Sequence, residues 1–248
     1  MARDVRVHVA TFNTAAATEL CIRTIRKFAG HPYDLVVGDS GSTDGSLERL
    51  KGFEHDGWLE LEEAPGGRRH AEWLDHWLAE CPSRYAVFVD SDMEFLRAGW
   101  LADLVQVAER DGATLVTSRI HFDERSYVNP KGAPVRWAPR PTPWLMLVDV
   151  AKARTLHNAG FGYCNVEDPD RAGGRLAYDT AAYFYAQLLA HDMTVSTMPD
   201  DWPSCYRHFG GMTWIRLRPA TRLRRRAKQA MKGAHIHYRL GLARLRAR

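Results

Sequence analysis

A chain of 248 residues with a net charge of +4, 45% hydrophobic and 26% charged, has the composition of an ordinary globular protein and the length for one sizeable core. No apolar run reaches the ~20 residues of a helical membrane span, so no transmembrane helix is expected. The charge is uneven: residues 214–248 carry 12 bases and no acid, while the first 213 residues carry 22 bases against 30 acids, an acidic body with a basic tail.

The N-terminus enters a strand pattern at once. It shows no apolar h-region of roughly 7 to 15 residues, and a cytoplasmic location is expected. Val5, Val7 and Val9 alternate with polar residues up to Phe12, which predicts a first strand. Leu20, Cys21, Ile25 and Phe28 recur at helical spacing after Thr14, a suitable N-cap, and Gly30 with Pro32 ends that helix. Tyr33 to Val37 predicts a second strand, and residues 38–46, GDSGSTDGS, must be a loop. Asp44 or Ser46 can cap the short helix that contains Leu47 and Leu50. Trp58 to Leu61 suits a third strand. Ala64-Pro65-Gly66-Gly67 then turns into a helix through Arg68, Ala71, Trp73, Leu74, Trp77 and Leu78.

Residues 85–95, YAVFVDSDMEF, follow. Five apolar residues without polar alternation predict a strand buried on both faces, as in a parallel sheet, and sites in such sheets lie beyond the carboxyl ends of the strands. Asp90 and Asp92 stand at that end. Two carboxylates so close to a core carry a desolvation cost that a shared hard cation offsets.

Another amphipathic helix runs from Trp100 to Ala108, closed by Gly112, and Thr114 to Ser118 is a strand. The alternation of strands and helices argues for a mostly parallel α/β sheet. Asn129 to Pro143, with five prolines, reads as a long ordered loop of the kind that often binds. Trp144 to Val150 is a strand candidate, followed by a short helix to His157 and a glycine turn at Gly160 and Gly162. Asp179 to His191 is a helix, and Thr194 to Met198 a last strand. Cys21, Cys81, Cys164 and Cys205 are too scattered for a zinc spacing or a disulfide framework, and free thiols are expected.

Residues 5–13 (VRVHVATFN), 35–46 (LVVGDSGSTDGS) and 85–95 resemble, in order and spacing, the inverting family 2 glycosyltransferases. The resemblance implies the GT-A fold, an α/β architecture in which a mostly parallel nucleotide-binding sheet is flanked by helices; here it would carry a C-terminal basic helical tail. It implies metal-dependent transfer of a sugar from an NDP-sugar donor, a UDP-sugar by expectation, to an acceptor hydroxyl with inversion, using Mn or Mg. Thr11 and Asp39 fall where the family holds the base, with Asn13 and Ser91 as further nucleotide contacts; Asp44 reads as structural.

Asp92, with Asp90, would hold the metal between the phosphates, and His208, before Gly210 and Gly211, resembles the family's histidine that binds metal or diphosphate. Gly67 and Ala71 match a Gly-x-x-x-Ala helix start, although Pro65 replaces the usual Asn. Arg68 or Arg69 there suits a diphosphate. The base resembles an Asp at a helix start: Asp179 has the surrounding pattern, while Asp168, in Glu167-Asp168, has the acidic pair. Trp137, Arg140, Trp144 and Trp202 are read as acceptor or sugar contacts. The acceptor itself, a glycan, a lipid-linked or a small molecule, is not legible.

Residues 1–213 are thus read as one domain, with 1–118 the nucleotide-sugar and metal half and 119–213 the acceptor half, and 214–248 as the tail. From Thr221 on, Leu223, Ala227, Ala230, Met231, Ala234, Tyr238, Leu242 and Leu245 form a helical stripe beside Arg224, Arg225, Lys228, Lys232 and Arg239, with a break expected near Gly233. Such a helix suits the inner membrane surface, a second subunit or the acidic body; no aromatic platform points to nucleic acid. Two other functions compete. A nucleotidyltransferase needs a Gly-rich phosphate loop with Arg and Lys after the first strand, where Thr11-Phe12-Asn13 stands. An inactive binding module of the same fold need not keep Asp39, Asp90 and Asp92.

Overall fold

The computed structural model describes residues 3–122, 126–130, 132–157, 159–210 and 222–245, with side chains of the last helix from Lys228 onward. The chain opens as two β-α-β turns: β1 (Val5–Thr11), α1 (Ala15–Phe28), β2 (Asp34–Asp39), α2 (Ser46–His55) and β3 (Glu60–Glu63). α3 (His70–Glu80) leads into β4 (Tyr85–Asp90), the short β5 (Met93–Phe95), α4 (Trp100–Asp111) and β6 (Leu115–Thr117). The second half holds β7 (Ile120–His121), β8 (Ser126–Val128), β9 (Pro134–Trp137), β10 (Arg140–Pro141), β11 (Leu145–Asp149) and the one-turn α5 (Val150–Ala153). β12 (Cys164–Glu167), β13 (Arg175–Tyr178), α6 (Ala182–Ala190), β14 (Val195–Thr197), β15 (Tyr206–His208) and α7 (Arg222–Leu245) complete it.

The main sheet runs in the order β14-β6-β11-β4-β1-β2-β3. All neighbours are parallel except β11, which runs antiparallel to both β4 and β6. Helices cover both faces, which is why β4 is apolar along its whole length. Val5, Val7 and Val9 pack with Ile22, Ile25, Trp100 and Leu104 on one face. Ala86 and Phe88 pack with Trp73, Trp77, Phe161 and Phe184 on the other. There the α3 indoles lie directly on β2. A Cβ at Gly38 would stand 2.7 Å from Trp77 and 2.9 Å from Trp73, so only glycine allows this approach.

Several elements differ from the sequence reading. Residues 129–143, read as a loop, hold β9 and β10, and β9 joins a second sheet of order β12-β13-β9-β8. Its prolines sit where a strand tolerates them: Pro134 opens β9 and Pro141 closes the two-residue β10. α6 begins three residues later than expected because Ala181 adopts φ +66° just before it. α7 passes through Gly233 without a break. Residues 211–221, including Trp214 and Thr221, and the side chains of Leu223, Arg224, Arg225 and Ala227 lie outside the described residues, as does the 213/214 boundary.

α7 lies against α1, where Ile236 and Leu240 bury with Ala17, Leu20 and Phe209, so among the three readings of the tail, contact with the body is realised. All four cysteines are free. No helix among the described residues is long and apolar enough to cross a membrane.

Candidate functional site

The parallel register brings the C-terminal ends of three strands to one edge, with Ala10 opposite Asp90 and Thr11 opposite Asp39. β11 starts from the same edge, and the Asp90 N–H donates to the Trp144 carbonyl at 3.1 Å. Over this edge opens a cavity of about 870 Å³. Its lining includes Thr11, Gly67, Arg68, Asp90, Ser91, Asp92, Arg140, Asp179 and His208, nine residues singled out from the sequence.

At its floor Asp90, Asp92 and His208 each offer one ligand atom within 4.8 Å of the others. His208 Nε2 stands 3.1 Å from Asp92 Oδ1 and 3.6 Å from Asp90 Oδ2. The imidazole stacks on Trp144, centroids 4.5 Å apart, which fixes its plane. Asp90 Oδ1 is buried without an aligned hydrogen bond, although His70 Nε2 lies 3.1 Å away. Two carboxylates and one imidazole form a hard oxygen and nitrogen donor set, which fits Mn or Mg.

His70, the first residue of α3, escaped the sequence reading because a histidine after Arg68-Arg69 looks like one more exposed cation. Burial opposes its charge, but the Asp90 carboxylate, with Asp92 behind it, more than offsets this and raises its pKa. α3 starts at His70 because Glu72 turns back to accept the Arg69 N–H at 2.8 Å, a capping-box contact. Arg68 and Arg69 are left on the approach, on the cavity wall.

A chain of hydroxyls ties the end of β1 to the aspartate turn. Thr11 Oγ1 lies 2.8 Å from Thr18 Oγ1 and 2.9 Å from Thr14 Oγ1, and Thr14 Oγ1 lies 3.1 Å from Ser91 Oγ. Thr14 was read only as a cap, yet its side chain makes no capping bond. Asp39, at the end of β2 beside Thr11, is 1% exposed and is not among the residues lining this cavity. Its Oδ1 accepts from the Gly41 and Ser42 N–H groups, and Oδ2 is buried with no partner. Asn13 is turned away: its side chain accepts the Thr43 N–H at 2.7 Å and its own N–H donates to Ser42. It braces the 40–45 loop. Asp44 accepts from the Ala15 and Ser46 N–H groups, the structural part expected of it.

The two base candidates separate clearly. Asp179 lies on the turn before α6, its Oδ1 accepting the Thr180 N–H at 2.9 Å and its Oδ2 2.7 Å from Arg140 Nη1. It caps no helix, since α6 starts three residues on. Asp168 lies beyond β12 and lines neither of the two cavities described here. Arg136 donates to both its oxygens, at 2.6 and 2.7 Å, and holds its carboxyl below the usual range. Held by two guanidinium bonds and away from both cavities, Asp168 has no acceptor hydroxyl within reach, which corrects its reading as a base.

A second cavity, about 690 Å³, is lined by His121, Phe122, Ser126, Tyr127, Trp137, Ala138, Arg140 and Asp179. Trp137 therefore belongs here and not to the first cavity, and Arg140 with Asp179 stands between the two. Trp202 corrects the sequence reading. It is 4% exposed and donates Nε1–H to Asp103 at 2.9 Å, so its faces are spent in the core.

Comparison with known proteins follows the same lines. The sequence profile described as Glycosyl transferase family 2 matches residues 6–164. The mannosyltransferase PcManGT from Pyrobaculum calidifontis, solved with GDP-Man and Mn2+, superposes with a TM-score of 0.57 at 20% identity, covering 79% of this chain and 55% of that one. The glucosyl-3-phosphoglycerate synthase of Mycobacterium tuberculosis, solved with Mg2+ and UDP, gives 0.54 at 18%, covering 96% and 80%. At these identities the likeness is one of fold, and the chain spans 55% of the mannosyltransferase's length. No curated protein sequence matches. The profile covers well over half of the chain and ends beyond the aspartate motif, so the chain belongs to glycosyl transferase family 2.

Proposed function

We propose that this protein transfers a sugar from a nucleoside diphosphate sugar, a UDP-sugar by preference, to an acceptor hydroxyl, with inversion. The observation that carries the reading is the Asp90, Asp92 and His208 cluster on the floor of a cavity whose wall presents Arg68 and Arg69. A divalent cation held by these three residues would neutralise the charge that develops on the departing diphosphate. Both solved relatives named above were crystallised with such a cation and a guanosine or uridine diphosphate species, in keeping with this reading.

The other roles follow from the chain's own groups. The unpartnered Asp39 Oδ2 accepts the imide N–H of the base, while Thr11 and Ser91 line the nucleotide side. Arg68, just before α3, meets the diphosphate together with the N-terminal end of that helix. Asp179 takes the proton of the attacking hydroxyl, and its place between the cavities lets it face donor and acceptor at once. The acceptor lies in the second cavity, against the Trp137 ring. Trp137→Ala is expected to raise the acceptor KM about tenfold, as loss of an aromatic stack does, with metal-dependent donor hydrolysis unchanged. Equal damage to both reactions would remove Trp137 from the acceptor side.

Calorimetric titration of UDP and GDP, with and without Mn, tests the donor site. Binding of either that requires Mn supports the transferase; no binding under any metal condition leaves an inactive module of the same fold. The outward face of α7 exposes Met231, Tyr238 and Leu245 at seven-residue spacing, on a tail whose residues 214–248 carry 12 bases and no acid. This is the face that would touch an anionic bilayer. Co-sedimentation with phosphatidylglycerol vesicles but not with phosphatidylcholine vesicles is the expected result, and equal partition would exclude the contact.

A further inference from the structure

Asp92 and His208 are carried by a short ribbon, of which β5 is buried in the main core. Asp92 precedes β5 and His208 ends β15, and among the described residues these strands pair only with each other, across Tyr206–Phe95, Arg207–Glu94 and His208–Met93. A two-stranded ribbon three residues long has little stability of its own. Its first restraint is a backbone bond from the Phe209 N–H to the Asp92 carbonyl at 3.0 Å. β5 is also tied to α1 by the Phe95 N–H, which donates to Thr24 Oγ1 at 3.1 Å, and the Leu96 N–H donates to the Cys205 carbonyl at 2.7 Å; further restraints come from α7.

Glu94, 2% exposed, is gripped from two sides. Arg207 Nη1 on β15 donates at 2.8 Å and Arg239 Nε on α7 at 2.6 Å. Lys232, two turns earlier on α7, bonds the carbonyls of Phe209 and Gly210, the residues after His208. The Phe209 ring is buried between α1 and α7 against Leu20, Ile236 and Leu240. α7 thus holds both strands, one beside Asp92 and the other just after His208. The other ion pair of α7 among the described residues, Arg244 with Glu19, reaches only α1.

We propose that α7 is a brace for the cation-binding ribbon, with Arg239 and Lys232 as positioning residues that set the separation of Asp92 and His208. The inference rests on the cation site proposed above. Ligand side chains held in place by outer partners bind more tightly than free ones, because less order is lost on binding, and removing such a partner typically costs 10- to 100-fold in metal affinity. Cutting Arg239 leaves a buried carboxylate with one cation where it had two, and the ribbon relaxes toward solvent. The basic tail then acts inward, on the geometry of the site.

The experiment uses the full chain and MnCl2 alone, read as free Mn2+ by electron paramagnetic resonance. Arg239→Ala and Lys232→Met are each expected to weaken Mn2+ binding about tenfold, and Arg239→Lys to restore part of the loss. Arg244→Ala removes a tail contact remote from the ribbon and is expected to leave affinity unchanged. Hydrogen exchange gives a reading independent of metal: amides of residues 206–209 exchange faster in Arg239→Ala and not in Arg244→Ala. Wild-type Mn2+ affinity in Arg239→Ala, or equal losses in Arg239→Ala and Arg244→Ala, would overturn the brace. If the wild type binds no Mn2+, the cation site fails, and the brace then stands or falls on the exchange pattern alone.

Discussion

Asp92→Ala is expected to lower sugar transfer roughly a thousandfold, which corresponds to about 4 kcal/mol of transition-state stabilisation. The substitution removes one ligand atom and leaves His208 without its nearest carboxylate, 3.1 Å away. The fold should survive, since the tie between Asp92 and Phe209 runs through the backbone carbonyl. Nucleotide affinity measured with Mn should fall to the metal-free value, and circular dichroism should stay native. A variant that keeps Mn-dependent nucleotide binding and turnover would show that Asp90 and His208 suffice, and the proposed role of Asp92 would be lost.

Asp179→Asn carries the second large effect. The amide keeps the side chain's shape but cannot accept the acceptor's proton, so kcat should fall by 10²- to 10⁴-fold, the usual worth of a general base. Donor binding should be unaffected, because the contacts proposed for the diphosphate are Arg68 and the cation, not Asp179. Asp168→Asn is the informative companion: its carboxylate braces Arg136 in the second sheet, so turnover should stay at the wild-type level. Were Asp168→Asn to lose turnover and Asp179→Asn to keep it, the assignment of the base would be reversed.

Much of the donor side was legible because its signals are long and local. β4 declares itself by a run of apolar residues that only a doubly covered strand needs, and the aspartates follow at its end. The loop after β2 is a cluster of small polar residues that can form nothing regular. The shortest strands speak less clearly. β5 and β15 have three residues each, too few for any period to show, and the ribbon that carries His208 was therefore invisible. β10 is two residues long and was absorbed into a loop.

The start of α6 was misplaced because Ala181 takes a left-handed backbone that its identity does not announce. His70 and Thr14 were undervalued for another reason. Their part in the site depends on what the sheet brings opposite them, Asp90 in one case and Ser91 in the other, and such pairings are long-range. Asp168 shows the converse, since its acidic neighbour resembled a motif while its partner Arg136 lay 32 residues upstream.

The antiparallel strand β11 has a bearing on how this protein reaches its native state. It lies between β4 and β6, so a segment made some fifty residues after β4 must insert into the middle of a sheet whose other central strands came first. Until it does, β4 is an open edge of Tyr-Ala-Val-Phe-Val, a run with strong tendency to pair with other chains. Residues 1–118 therefore do not mature ahead of the rest. Assembly waits on a distant contact, which makes folding slow and all-or-none, and residues 1–118 produced alone would present that edge to each other and aggregate.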